Sequence, residues 1–289
     1  MLEATGIDYC IDGATLVKDF RIRIRKGTFH VIIGPNGAGK SSALRMLCGE
    51  LKPTAGEVLL WGKPIAEMRA QRLAKERACF EQSSASTLPF TVREVISLGR
   101  LPHMTGPYES DADKAVVSST LTRMELNAMS ERSMTTLSGG EATRTHLGRV
   151  SAQATQFYLL DEPTNHLDVR HQLDTLAYFH GATRAGAAVV AVLHDLNLAS
   201  FFADEITVMQ RGETVAQGSP EAVMTRDMVR DVYHIDSAIT MHPSGKPWVV
   251  PIPGHLPELG SNTFVAFKNN PTQGDKNDEH GTRSHVAFG

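Results

Sequence analysis

One octapeptide limits what this chain can fold into: Gly34-Pro35-Asn36-Gly37-Ala38-Gly39-Lys40-Ser41, which fits G-x-x-x-x-G-K-[ST]. The continuous apolar run Phe29 to Ile33 precedes it, as expected for a strand buried on both faces. After it, Ser42 to Cys48 reads as a helix stopped by Gly49. Strand, glycine-rich turn and helix in that order are the context in which this motif grips phosphate. The glycines let the backbone turn tightly, so successive N–H groups point inward at phosphate oxygens. The helix adds its positive N-terminal end. Lys40 supplies a point charge for β and γ phosphates, and the Ser41 hydroxyl suits Mg2+. These residues predict ATP binding and, with it, hydrolysis.

A second apolar run, Phe157 to Leu160, ends in Asp161 and Glu162. An aspartate at a strand end can hold Mg2+, usually through water. The adjacent Glu162 can polarise an attacking water as a general base. Strands ending in acids are common at surfaces, so the phosphate loop is what gives this pair chemical meaning. Ser138-Gly139-Gly140 is another glycine-rich turn before a predicted helix. It fits a second anion site, and equally an ordinary N-cap. His194 follows the apolar run Ala188 to Leu193; taken alone it fits an N-cap or core histidine as well as a functional one.

The rest of the 289 residues bounds the answer. At 41% hydrophobic and 21% charged, the chain can bury a sizeable core, and a net charge of −3 argues against a broad nucleic-acid-binding surface. Three cysteines, Cys10, Cys48 and Cys79, lack zinc-type spacing, and so low and odd a count suits a reducing cytosol. The opening MLEATGIDYC lacks the basic and apolar regions of a signal peptide. The mid-chain apolar stretch Ala187 to Leu193 is far short of the roughly 20 residues that span a bilayer. Work at a membrane therefore requires docking onto another chain.

Along the chain, residues 1–28 read as short strands, with Arg21 to Arg25 alternating as a half-buried strand does. Strands are predicted at 56–62 and 77–81 around a helical stretch at 64–76. From 83 to 151 helical periodicity dominates, which predicts an inserted helical subdomain. Ile206 to Met209 and Thr214 to Ala216 predict a hairpin around Arg211-Gly212. The main domain is expected over 1–242, a proline-rich extension over 243–267 and a disordered tail over 268–289. Trp248-Val249-Val250 is expected to fold back as the last ordered piece. His255, His280 and His285 are too scattered for a metal site.

Leu137-Ser138-Gly139-Gly140-Glu141 resembles the LSGGQ signature of ATP-binding cassette (ABC) ATPases. Gln82 resembles that family's Q-loop glutamine, Asp161 its Walker B aspartate, His194 its switch histidine, and Asn165-His166-Leu167-Asp168 its D-loop. The motifs stand in family order, and the similarity covers about residues 5–240. It implies an α/β fold: a P-loop NTPase core, an N-terminal antiparallel β subdomain and an inserted α-helical subdomain. It implies that Gly34 to Ser42 bind ATP, with Mg2+ held by Ser41, Gln82 and Asp161. Glu162, His194 and Lys40 would be catalytic. Ser138, Gly139, Gly140 and Glu141 would meet the nucleotide held by a second copy, so that two chains sandwich two ATPs, and Asp168 would also bind nucleotide. Family spacing of the adenine-stacking aromatic falls on Ile11, with Tyr9 two positions earlier; either Tyr9 stacks or Ile11 packs there. Glu141 departs from the family glutamine, and Ala142-Thr143 replace a commoner polar pair before Arg144.

A single cassette implies a separate membrane partner, which resembles importers. Gln82-Ser83-Ser84, Pro89-Phe90-Thr91-Val92-Arg93-Glu94-Val95 and Leu98-Gly99-Arg100 resemble the ATPases of haem, iron-siderophore and cobalamin importers, with a lean toward haemin. The resemblance implies a homodimer of ATPase subunits on two transmembrane permease subunits, with an indirect substrate-binding protein and no nucleic acid. The place implied is the cytoplasmic face of the cell membrane, with residues 83–104 as docking surface. The alternatives are cobalamin as cargo, a soluble ABC ATPase of translation or repair, and a regulatory module that no longer hydrolyses.

Overall fold

In this computed structural model, which describes residues 1–81 and 89–253, the N-terminal alternation folds as two long antiparallel strands. β1 (Leu2–Ile11) pairs with β2 (Ala14–Ile24), which buries Val17, Phe20, Ile22 and Ile24. Several short strands were expected here. Register shifts near Gly6, Tyr9 and Cys10 keep one long ladder where the sequence pattern looks broken.

The chain continues with β3 (Phe29–Ile33), α1 (Lys40–Cys48), β4 (Ala55–Leu60), β5 (Lys63–Pro64), α2 (Ala70–Glu76) and β6 (Arg77–Phe80). Then come α3 (Val92–Leu98), α4 (Asp111–Arg123), α5 (Gly139–Ala152), β7 (Phe157–Asp161), α6 (Val169–Arg184) and β8 (Ala188–Val192). The last elements are α7 (Leu196–Phe202), β9 (Glu205–Gln210), β10 (Glu213–Gly218), α8 (Pro220–Val223), α9 (Arg226–Tyr233), β11 (Asp236–Met241) and β12 (Pro247–Ile252).

Two sheets organise these elements. One has the order β2-β1-β4-β5 and is antiparallel. The other has the order β10-β9-β3-β8-β7-β6, parallel except for the β9–β10 hairpin. β3, β7 and β8 are buried at every position because both faces of their sheet are covered. On one face Phe29, Leu160 and Val189 pack with Leu176, Phe179 and Val229 of α6 and α9. On the other, Ile32, Leu159 and Val190 pack with Leu44 and Leu47 of α1 and with Phe20 and Val58 of the antiparallel sheet. α1 therefore runs between two sheets, which fixes the phosphate loop at its start.

The inserted helices carry their own core. Val92, Val95 and Ile96 of α3 meet Val117 and Leu121 of α4 and Ala152 of α5. α1 begins at Lys40, two residues earlier than expected, because Gly39 in the left-handed region (φ 93°) serves as its N-cap. The β11–β12 hairpin crosses the division expected at residue 242. Asn197 on α7 clamps it, donating to Val249 O at 3.1 Å and accepting from Val249 N at 2.7 Å, and Ser200 Oγ donates to Pro247 O at 2.6 Å. Gln82, His255, His280, His285 and the tail expected at 268–289 lie outside the described residues.

Candidate nucleotide site

The phosphate loop is wedged between two strands, and that wedge demands its glycines. Gly34 has φ 149°, and a Cβ there would lie 2.1 Å from Met209 O of β9. At Gly39 a Cβ would lie 2.5 Å from Leu16 O of β2. Neither neighbour can yield, because both are backbone in paired strands. Lys40 is 5% exposed, and its Nζ donates to Gly34 O at 2.8 Å and Pro35 O at 2.9 Å. Burial lowers its pKa, and Glu162 and then Asp161 pull it back up.

β7 delivers the carboxylates to the same place. Ser41 Oγ donates to Asp161 Oδ1 at 3.1 Å. Burial pushes the Asp161 carboxyl upward, against the Ser41 hydrogen bond and the Lys40 charge. Glu162 lies one residue beyond the strand in the left-handed region, with φ 52°, a conformation that costs a non-glycine residue energy. Its N–H donates to Val192 O of β8 at 3.2 Å. Its side chain is held twice: His194 Nε2 lies 2.5 Å from Oε1, and Asn165 Nδ2 donates to Oε2. His194 stands just past the end of β8, so two adjacent parallel strands present the acid and the imidazole together.

A cleft of ≈ 240 Å³ opens over the loop, lined by Asn36 to Ser42, Leu16 and Glu162. Tyr9 and Ile11 are not in its lining. Tyr9 is half-buried against the core around α1, and Ile11 is 47% exposed. Leu16 was missed by the sequence reading, since its place in the cleft comes from β2 crossing the loop. Asn165 was assigned to the D-loop, without the contact to Glu162 that its position three residues later allows.

Ser138, Gly139, Gly140 and Glu141 also stand outside that cleft. Ser138 and Gly139 are exposed at the start of α5. Ser138 Oγ accepts from Glu141 N at 3.3 Å, and Glu141 Oε2 accepts from Ser138 N at 2.8 Å, a capping box. The departure Glu141 thus caps its own helix, and its hydrogen bonds from Ser138 hold its carboxyl below the usual range. A Cβ on Gly140 would lie 3.0 Å from His166 O, so the turn packs against the D-loop of its own chain. Asp168 caps α6, accepting from His171 N at 2.9 Å. That contact depresses its carboxyl.

The Ser41 hydroxyl and Asp161 carboxylate form an all-oxygen pair, as Mg2+ prefers. Burial is the main cause of the upward push on Asp161, and a bound cation would oppose it. These two residues fit the ion.

A P-loop at a strand-to-helix turn, facing paired carboxylates from a parallel strand, defines the class as P-loop NTPase. The family profile described as ABC transporter matches residues 17–165. A hemin import ATP-binding protein HmuV from Rhodopseudomonas palustris (strain HaA2) is 40% identical over 258 residues, covering 86% of this chain and 97% of that one. Its namesake from Pseudomonas entomophila (strain L48) is 39% identical, covering 86% and 99%. Among solved structures, a metal-chelate type ABC transporter in an inward-facing conformation superposes with TM-score 0.73 at 21% identity, over 87% of this chain and 96% of the other. A dimeric ATP-binding cassette in a post-hydrolysis state with ADP and Pi gives TM-score 0.69 at 24% identity, over 76% and 98%. The chain belongs to the ABC transporter family, as an ATPase that couples hydrolysis to transport. No helix among the described residues is long and apolar enough to cross a membrane.

Proposed function

We propose that this chain is the ATPase subunit of a haem importer, working as a homodimer beneath two permease subunits. The relatives named for hemin import, matched over most of both chains, support the cargo. The observation that carries the dimer is the cleft itself: it is lined by the phosphate loop and Glu162 and by none of Ser138 to Glu141. A second chain supplies that turn, with Asp168 beside it. The subunit sits at the cytoplasmic face of the membrane, bound to the permease, and a substrate-binding protein delivers the cargo from the other side.

Each side chain has a task in this reading. Lys40 exchanges two neutral carbonyls for anionic phosphate oxygens, a stronger class of hydrogen bond. Ser41 and Asp161 hold Mg2+, which when bound neutralises phosphate charge, and Gln82 joins them. Glu162 takes the proton of the attacking water. His194 and Asn165 fix the carboxylate that does so. Exposed Phe90 and Leu98 belong to the permease-docking surface.

The test is uptake into vesicles carrying the assembled complex. Haemin should be taken up with ATP, and a ferric siderophore or cobalamin should not; preference for either of those reassigns the cargo. Phe90→Asp should lower co-purification with the permease and leave nucleotide binding intact. Wild-type yield and coupling in that variant would remove Phe90 from the interface.

A further inference from the structure

The cysteines lack zinc-type spacing along the chain, yet the fold brings two of them together. Cys48 closes α1 and Cys79 lies in β6. One ligand atom from each, and one carboxylate oxygen of Glu50, lie within 4.8 Å of one another. Cys48 is buried, Cys79 half-buried, and the Glu50 side chain reaches solvent, which leaves an approach path. Arg77 Nη1 donates to Cys79 Sγ at 3.0 Å, and Arg45 lies 3.7 Å from Glu50.

We propose that Cys48, Cys79 and Glu50 bind one thiolate-seeking divalent cation of the Zn2+ class, clamping the end of α1 to β6. Two sulfurs and one carboxylate make a soft, zinc-selecting set, unlike the all-oxygen pair Ser41 and Asp161. Zinc bonds of about 2.3 Å to sulfur and about 2.0 Å to oxygen put tetrahedral ligand atoms roughly 3.5 Å apart. The cluster therefore closes by no more than about an ångström, and the Arg77 guanidinium leaves Cys79. Both thiols release their protons to water on binding. Glu81 or water completes the coordination. The inference rests on this cluster alone and stands whatever cargo the transporter carries.

The test uses the full-length, untagged, reduced and metal-free protein. Zn2+ is titrated in competition with a chromogenic chelator, and Co2+ is added separately to read the thiolate-to-cobalt charge-transfer band. We expect stoichiometric Zn2+ uptake and the cobalt band. Cys79→Ser should abolish the band and weaken Zn2+ by at least about tenfold, Glu50→Gln should keep the band with weaker binding, and Cys10→Ser should change neither. Cys79 is only half-buried, so its serine variant should keep the wild-type melting temperature without metal. Absence of the cobalt band, or wild-type Zn2+ affinity in Cys79→Ser, overturns the proposal. So does a Cys48–Cys79 disulfide formed with oxidised glutathione in a protein that takes up no Zn2+ when reduced.

Discussion

Two glycine-rich turns open helices in this molecule, and they are built for opposite situations. The turn at Gly34 to Ser41 is enclosed by its own chain: β2 and β9 press on its glycines, and Lys40 is buried against loop carbonyls. The turn at Ser138 to Glu141 is satisfied locally by its capping box, and its first two residues face solvent. One turn has a floor and walls. The other is an exposed turn backed by the D-loop of its own chain at His166. The difference is what the proposed dimer uses: one phosphate site divided between copies, each half held in place by contacts within its own chain.

The largest predicted effect separates the halves. Lys40→Ala should cut both nucleotide affinity and turnover, by about a hundredfold to a thousandfold in turnover. It should not lower the melting temperature of the nucleotide-free protein, because a buried charge is removed. Nucleotide titration and calorimetry read these together. Glu162→Gln should leave ATP affinity unchanged and lower turnover about a hundredfold or more, accumulating a closed dimer. Wild-type turnover there would assign the base to another group.

Ser138→Ala should affect turnover while ATP affinity of the isolated chain stays unchanged. It also removes a helix cap, at a cost of about 1 kcal/mol in denaturant unfolding. A matching loss of affinity would place the turn at its own chain's nucleotide and dissolve the contrast. The smallest effect concerns Asp161, whose folded pKa lies above 3.8 because of burial. Its contribution to stability is complete below the unfolded pKa and is lost as pH rises through the folded one. At neutral pH, without Mg2+, Asp161→Asn should therefore melt slightly higher than wild type, at about 2–4 °C per kcal/mol. The gap should close in acid, and the variant should lose the wild type's stabilisation by Mg2+ and nucleotide.

What could be read from sequence was what lies close together along the chain. The run from Phe29 through the loop to Gly49 carries its strand, turn and helix in order, so fold class and phosphate chemistry were legible together. Asp161 and Glu162 were legible for the same reason, as was the β9–β10 hairpin. Contacts made by crossing strands were not. Leu16 enters the cleft only because β2 passes over the loop. The grip of His194 and Asn165 on Glu162 depends on β7 lying beside β8 and on a left-handed turn at Glu162. Cys48 and Cys79 show no motif, because α1 and β6 meet only in the fold. The capping box from Ser138 to Glu141 was present as S-x-x-E, a pattern that the family's glutamine would also satisfy.

The central claim is that each working site takes its loop from one chain and its signature turn from another. Mixing two inactive variants, Lys40→Ala and Ser138→Arg, tests it most directly. A mixed dimer contains one site with both defects and one site with neither. The account predicts that ATPase activity, absent from each variant alone, returns on mixing, toward about a quarter of wild type if partners exchange at random and sites act independently. Activity that stays at the sum of the two separate variants, with mixed dimers shown to form, would contradict it.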